Sequence, residues 1–322
     1  VRAILVSAFG DPDVLTVAEL PDPEPAPGEV IVGIRAVGVN PVDAYVRTGQ
    51  YARLPPLPYI PGFDAAGEIE SVPAGVTEWA PGDRVWISTL GSWRGTYADR
   101  GRYPSDQIYR LPDAVSFEAG AALGVPAATA HRALFGRGQA KSGETVLVQG
   151  GSGSVGIAAI QLARAAGLRV FATAGSDGGR AAAEEAGAEQ VFDHRDPGRA
   201  ERVRQITEGR GVDLIIEMLA SANLDIDLTM IGMRGRIVIV GSRGRIEIDP
   251  RFTMAKDATV AGMALWNVPA QERIAINHAL VSALDQRTLA PRVGLTFPLD
   301  QAPRAHQALF EEATRGKIVL VP

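Results

Sequence analysis

The chain contains no cysteine. That excludes disulfides, thiolate catalysis and every zinc site built on cysteine. Histidine is scarce as well: His131, His194, His278 and His306 are the full set. No H-x-x-x-H spacing occurs among them, so no metal is expected. Long hydrophobic runs are missing. Nothing approaches the roughly 20 apolar residues that cross a bilayer, and no membrane partner is expected. There is no basic excess either. Lys and Arg number 32 against 37 Asp and Glu, a net charge of −5. This argues against nucleic acid as a partner. The opening "VRAILVSAFGDPD" has one early Arg and no cleavage-site pattern, and reads as a strand rather than a signal peptide. The expectation is a soluble, cytoplasmic protein.

What the chain does have is length and punctuation. Its 322 residues, 46% apolar and 21% charged, suit two globular domains. The first third reads as β-rich: "AILV", "EVIVGIRAVGV", "AAGEIESV" and "DRVWIS" are separated by Pro and Gly. From about residue 120 strand-length apolar runs alternate with helical patterns. The runs are "ETVLVQG", "LRVFATAG", "EQVFD", "VDLIIEM", "GRIVIVG" and "ATVAGMAL". Continuous Val/Ile/Leu runs suit parallel strands buried on both faces, and repeated β-α-β crossovers imply a doubly wound sheet. Beyond about 265 come two helical stretches, 269–286 and 300–316, and a closing strand, "KIVLVP".

One segment carries chemistry. In "VLVQGGSGSVGIAAIQLARAAG", 146–167, a strand precedes the glycines and a helix, 155–166, follows them, with Gly167 placed to cap it. Gly150, Gly153 and Gly156 give G-x-x-G-x-x-G, with Gly151 added. Such a loop needs one glycine for the turn, one to let backbone reach a pyrophosphate, and one for close helix packing. The helix N-terminus then faces the anion. This predicts a dinucleotide site. The second strand bears on which dinucleotide. It ends "VFATAGSDGGR" with no acid through Ser176, where NAD sites carry an Asp or Glu for the ribose. Asp177 reads as the next N-cap. Arg180 falls in the first helical turn, against the helix dipole, and an added phosphate would relieve that conflict. NADP(H) is the expected cofactor; the plainer alternative for Arg180 is a solvated surface charge.

At this point the chain resembles the zinc-free quinone oxidoreductase branch of the medium-chain dehydrogenase/reductase superfamily, zeta-crystallin type. The resemblance rests on "GVNPVDAYVRTGQY" (38–51), "LPYIPGFDAAGEIE" (57–70), "PGDRVW" (81–86), "GVPAATAHRAL" (124–134), "VQGGSGSVG" (148–156), "DLIIEMLASANL" (213–224), "VIVGSRGRIEIDPR" (238–251) and "TRGKIVLV" (314–321). It implies an α/β architecture: a split, GroES-like β-rich catalytic domain from 1–121 and 265–322, and a doubly wound parallel-sheet Rossmann domain at 122–264. In zinc-dependent relatives a cysteine stands at Asn40 and a His-Glu pair at Phe63 and Asp64. The resemblance implies cofactor contacts from Tyr51, from Ser152, Gly153, Ser154 and Val155 at the pyrophosphate, and from Gly175 and His194 at the adenosine. It adds Asn223, then Val240, Gly241, Ser242 and Arg243, then Met263, Ala264 and Leu265. Lys317 matches a Gly-Lys that adds charge near the cofactor. The family often has Lys at Arg180 and Gly at Ser154. It implies a homodimer or homotetramer paired through an edge of the Rossmann sheet.

The implied activity is NADPH-dependent reduction of a quinone in an apolar cleft, where the nicotinamide carries the difficult step. Asn40, Asp43 and Tyr51 are the candidate polar anchors. Each has a second reading: Asn40 as a turn former before Pro41, Asp43 as a helix cap, Tyr51 as a packing ring. Two other activities fit the same residues: reduction of an activated C=C bond in an enone or alkenal, and non-catalytic NADPH binding with an RNA-binding side role.

Overall fold

A computed structural model describes residues 1–311 and 314–322, so 312–313, inside the second helical stretch expected above, lie outside the described residues. The chain divides into two compact units. The first comprises 1–126, 270–286 and 291–322, and the second 127–269 and 287–290. These units have bounds at Pro126 and Pro269, against expected cuts after 121 and 264, and residues 287–290 lie with the second unit.

The first unit begins with β1 (Arg2–Val6), β2 (Leu15–Glu19), β3 (Glu29–Val39), α1 (Pro41–Arg47), β4 (Asp64–Ser71), β5 (Arg84–Ser88), β6 (Arg100–Pro104), β7 (Ile108–Arg110), and α2 (Phe117–Gly120). The helix α3 (Gly124–His131) follows. The second unit continues with β8 (Thr145–Val148), α4 (Ser154–Ala165), β9 (Arg169–Thr173), α5 (Asp177–Ala186), β10 (Gln190–Phe192), and α6 (Arg199–Ile206). It closes with β11 (Val212–Glu217), α7 (Ala220–Met230), β12 (Ile231–Ile239), α8 (Arg251–Met254) and β13 (Thr259–Gly262). The chain then returns to the first unit with α9 (Ala270–Asp285), β14 (Val293–Pro298), α10 (Ala302–Glu311) and β15 (Lys317–Val321).

In the second unit six strands form one parallel sheet in the order β10-β9-β8-β11-β12-β13. The order reverses between β8 and β11, the switch point at which doubly wound sheets open a crevice beyond their carboxyl ends. Val146, Leu147 and Val148 are wholly buried, as an all-apolar strand covered on both faces must be. In the first unit a seven-stranded sheet runs β14-β15-β3-β4-β5-β7, with β6 also on β3. Its core is aliphatic: Val30, Val32, Val37 and Val39 of β3 pack with Ile69, Val85, Ile87, Ile318 and Leu320. Each such side chain contributes about 1.5–3 kcal/mol on burial. Among the described residues no helix is long and apolar enough to cross a membrane.

Candidate functional site

In the second unit the sequence-predicted cofactor residues gather at one edge of the sheet. Gly150 follows β8, Gly175 follows β9, His194 follows β10, and Asn223 lies in α7 after β11. Val240–Arg243 follow β12 and Met263 follows β13. All six strands are parallel, so all six positions fall at carboxyl ends.

The glycine loop is built to bring backbone, not side chains, to a ligand. Gly150 sits at φ +68°, the left-handed region that favours glycine. A Cβ on Gly156 would lie 2.3 Å from the Gly150 carbonyl oxygen, and one on Gly151 would lie 2.7 Å from the Ala172 Cβ. Gly153 is the N-cap of α4, with no side-chain cap on the first turn. The helix therefore starts at Ser154, one residue before the expected Val155. The first-turn N–H groups of Ser154, Val155 and Gly156 have no helical partner, which is the donor set an anion takes up. These features fit a dinucleotide pyrophosphate.

The two residues expected at the adenosine, Gly175 and His194, follow β9 and β10. Gly175 lies against the His194 ring: a Cβ there would meet Cε1 at 2.5 Å. His194 is exposed. Ser176, not Asp177 as expected, is the N-cap of α5, and its hydroxyl accepts from the Gly179 N–H at 3.1 Å. A serine hydroxyl reaches the N3 amide while Asp177, one residue later, is already helical. Arg180 pairs with Asp177 and, at 3.4 Å, with Asp193. The conflict with the helix dipole is therefore already answered by two carboxylates, without the phosphate expected to relieve it. Arg195, which sequence reasoning passed over, also pairs with Asp193, at 3.0 Å, and donates to the Gly175 carbonyl.

Beyond β12, Gly241 packs so closely that a Cβ would lie 2.5 Å from the Met218 carbonyl oxygen. Arg243 N–H donates to the Ser221 hydroxyl at 3.2 Å, and the Ser242 hydroxyl donates to the Gly244 carbonyl at 3.1 Å. Met263 N–H donates to the Ile239 carbonyl, Arg132 holds the Ala264 carbonyl at 2.7 Å, and Leu265 opens a short 3-10 turn.

The substrate-side candidates belong to the first unit. Asn40 is the N-cap of α1, with Pro41 at the first helical position, and forms a capping box with Asp43. Its N–H donates to Asp43 Oδ2 at 2.8 Å, and its Nδ2 donates to Asp64 Oδ2 at 2.9 Å. Lys317 Nζ donates to Asp64 Oδ2 at 2.8 Å and to Asn40 Oδ1. Asp64 Oδ1 accepts from the Val125 N–H at 2.8 Å. The lysine expected to add free charge near the cofactor is therefore buried and neutralised by Asp64. Tyr51 is half-buried against the apolar core.

A second cluster adjoins the first. Tyr97 donates to Asp43 Oδ2 at 3.1 Å and lies 3.0 Å from His306 Nε2. Asp43 Oδ1 and His306 Nδ1 are buried without partners. Burial pushes the Asp43 carboxyl up to about 7, against the lowering pull of the Asn40 N–H and Lys317. Burial, then Arg47, pushes the His306 imidazole down to about 3. The two act with opposite sign on stability. Asp43 contributes most below its ordinary value of 3.8 and loses that contribution as pH rises to about 7. His306 contributes most above 6.5 and loses it as pH falls to about 3. In wild type the slopes oppose one another between these limits. His306→Gln leaves the Asp43 slope alone, so its unfolding free energy is expected to fall as pH rises from about 4 to about 7. Urea unfolding across a pH series checks this; a profile parallel to wild type would contradict it.

The alcohol dehydrogenase GroES-like domain model matches residues 26–126, and the zinc-binding dehydrogenase model matches 154–281. The quinone oxidoreductase of Rattus norvegicus is 41% identical over 322 residues, 99% of this chain and 97% of the relative. The chain belongs to the quinone oxidoreductase family of the medium-chain dehydrogenases/reductases. Among solved structures, the Escherichia coli quinone oxidoreductase complexed with NADPH matches with a TM-score of 0.87 at 30% identity, covering 100% of both chains. A mycobacterial protein complexed with NADPH matches with a TM-score of 0.88 at 32% identity, again over 100% of both. For a quinone oxidoreductase matched by a model described as zinc-binding, the cation at Asn40 and Asp64 is notable. That cation is the buried Lys317 ammonium. Among the described residues no group of three or more His, Cys, Asp or Glu is placed to hold a metal ion.

Proposed function

We infer that this chain is an NADPH-dependent quinone oxidoreductase. The observation that carries the reading is the uncapped glycine loop at the switch point of a six-stranded parallel sheet, in a chain alike over its whole length to quinone oxidoreductases. The first-turn amides of α4 hold the pyrophosphate, and Gly150, Gly151 and Gly156 let it approach. Arg180 is our candidate for the 2′-phosphate. NADPH supplies the hydride, and solvent supplies the proton that completes the hydroquinone. Tyr51 is our candidate for the hydrogen bond to the substrate carbonyl. β13 is the outer strand of its sheet and Val260 on it is exposed, which supports pairing of two copies there.

NADPH oxidation with a panel of quinones tests the function, and product analysis with one enone separates carbonyl from C=C reduction. No oxidation with any quinone would overturn it. Arg180→Ala is expected to raise KM for NADPH at least tenfold more than for NADH, since a charged hydrogen bond is worth about 1.5–3 kcal/mol. Equal effects on both cofactors would return Arg180 to its carboxylate partners.

A further inference from the structure

Behind the glycine loop lies a buried polar chain that the function above leaves unused. The Gly150 N–H donates to Thr173 Oγ1 at 3.1 Å. Thr173 Oγ1 donates to Gln149 Oε1 at 2.7 Å, and Gln149 Nε2 donates to Asp227 Oδ1 at 2.6 Å. The Asp227 carboxyl lies in turn within hydrogen-bonding reach of the Glu217 carboxyl. Glu217 Oε1 accepts from the Leu219 N–H and, at 3.2 Å, from Asn223 Nδ2. Gln149 and Thr173 are 1% exposed and Glu217 and Asp227 wholly buried. The chain links three positions already placed at the cofactor edge: Gly150, the end of β9, and Asn223.

Its hydrogens do not balance as two carboxylates. Asp227 Oδ2 and Glu217 Oε2 are both acceptors, both buried, and both without a donor. Two ionised carboxylates in contact repel, and unpaired buried oxygens are costly. One proton between them removes both difficulties. Every bond then runs one way, from the Gly150 amide through Thr173, Gln149 and Asp227 to a single charge on Glu217, with Leu219 and Asn223 converging on it from the other side. Bonds aligned in this way reinforce one another.

We propose that Gln149, Asp227 and Glu217 form a proton-bridged brace that positions the glycine loop for NADPH, so that cofactor affinity depends on the proton the two acids share. The proposal rests on the NADPH binding inferred above and not on the identity of the oxidant. The Asp227 carboxyl is held well above the usual range, by burial first and by Glu217 second, against the opposite pull of Gln149 and Arg199. Arg199, from α6, is the charged group that faces Asp227 besides Glu217. Loss of the bridging proton sets two negative charges against each other and breaks the chain that fixes Gly150.

Fluorescence titration with NADPH from pH 7.5 to 10, above the range in which its 2′-phosphate titrates, tests the idea. Wild type is expected to lose affinity at the alkaline end. Asp227→Asn places a permanent donor toward Glu217 and an acceptor toward Gln149, and is expected to bind as wild type at pH 7.5 with no alkaline loss. Asp227→Ala is expected to weaken NADPH binding about tenfold at pH 7.5, as for a buried hydrogen bond left unmade. At saturating quinone its KM for NADPH rises while kcat holds. Should Asp227→Ala fail to fold, Thr173→Val cuts the same chain at another link, with the same expected weakening. Three results would each overturn the proposal: an Asn variant that keeps the alkaline loss, an Asn variant as weak as the Ala variant, or cut-chain variants that bind as wild type. Failure of wild type to reduce quinones would strike the assigned function and leave these titrations intact.

Discussion

Lys317→Met is expected to lower stability by about 3–5 kcal/mol, because removing one partner of a buried ion pair strands the other. Asp64 is wholly buried and Lys317 2% exposed, so water cannot take the place of the ammonium. Asn40 loses the same donor. The strand packing leaves no room for rearrangement: a Cβ on Gly38 would lie 2.8 Å from the Lys317 Cε and 2.1 Å from the Ala121 carbonyl oxygen. A thermal melt should show a fall of about 10 °C, at roughly 2–4 °C per kcal/mol for a protein of more than 150 residues. The double variant Lys317→Met, Asp64→Asn removes both charges and should recover part of that loss. If the double variant is no better than the single one, the ion pair is not what holds the site.

Gly156→Ala should weaken NADPH binding by roughly 5–150-fold, about 1–3 kcal/mol of overpacking strain expressed at the loop. The added methyl would meet the Gly150 carbonyl at 2.3 Å and the Gly151 Cα at 2.7 Å, and backbone cannot swing aside as a side chain can. The first turn of α4 must tilt, taking its amides off the phosphate. Gly153→Ala is the control, since a Cβ there has its nearest contact at 3.6 Å. Titration of both variants with NADPH checks the contrast; equal losses would mean that the loop tolerates no side chain anywhere, and that helix packing is not the cause.

The contrast between those two glycines also shows what the sequence could reveal. Glycine spacing between a strand and a helix points to a dinucleotide loop, and the apolar runs of β8, β9 and β11 read as the buried strands they are; β10 and β13, the outer strands, are largely uncovered, which corrects the expectation of burial on both faces for them. It could not say which glycine is packed and which is free, because that depends on Ala172 and Gly150 across the loop. β2, β6, β7 and β14 escaped notice, β6 for a related reason. "RGRYP" in β6 has no apolar period; it is a strand because β3 lies beside it. Asn40 and Asp43 were legible as polar residues before a helix, and both turned out to cap it. Their partners were not legible: Asp64 lies 24 residues from Asn40, and Lys317 lies 277 residues away. The acid pair under the loop was equally hidden. Glu217 ends an apolar strand and Asp227 sits mid-helix, and only the folded sheet sets them together.

The placement of Lys317 has a consequence for the order in which the molecule is made. β3 pairs with β15 through Ile318, Val319 and Leu320, so one edge of β3 and the charge of Asp64 wait for a strand some 280 residues further along the chain. The second unit has no such debt: its sheet runs from β8 to β13 without a contribution from β3 or β15. On a ribosome adding about 5–20 residues per second, the nucleotide-binding half can close while the first half still holds an open strand edge and an unpaired buried acid. The first unit is thus open to wrong partners until β15 arrives and brings Lys317 to Asp64.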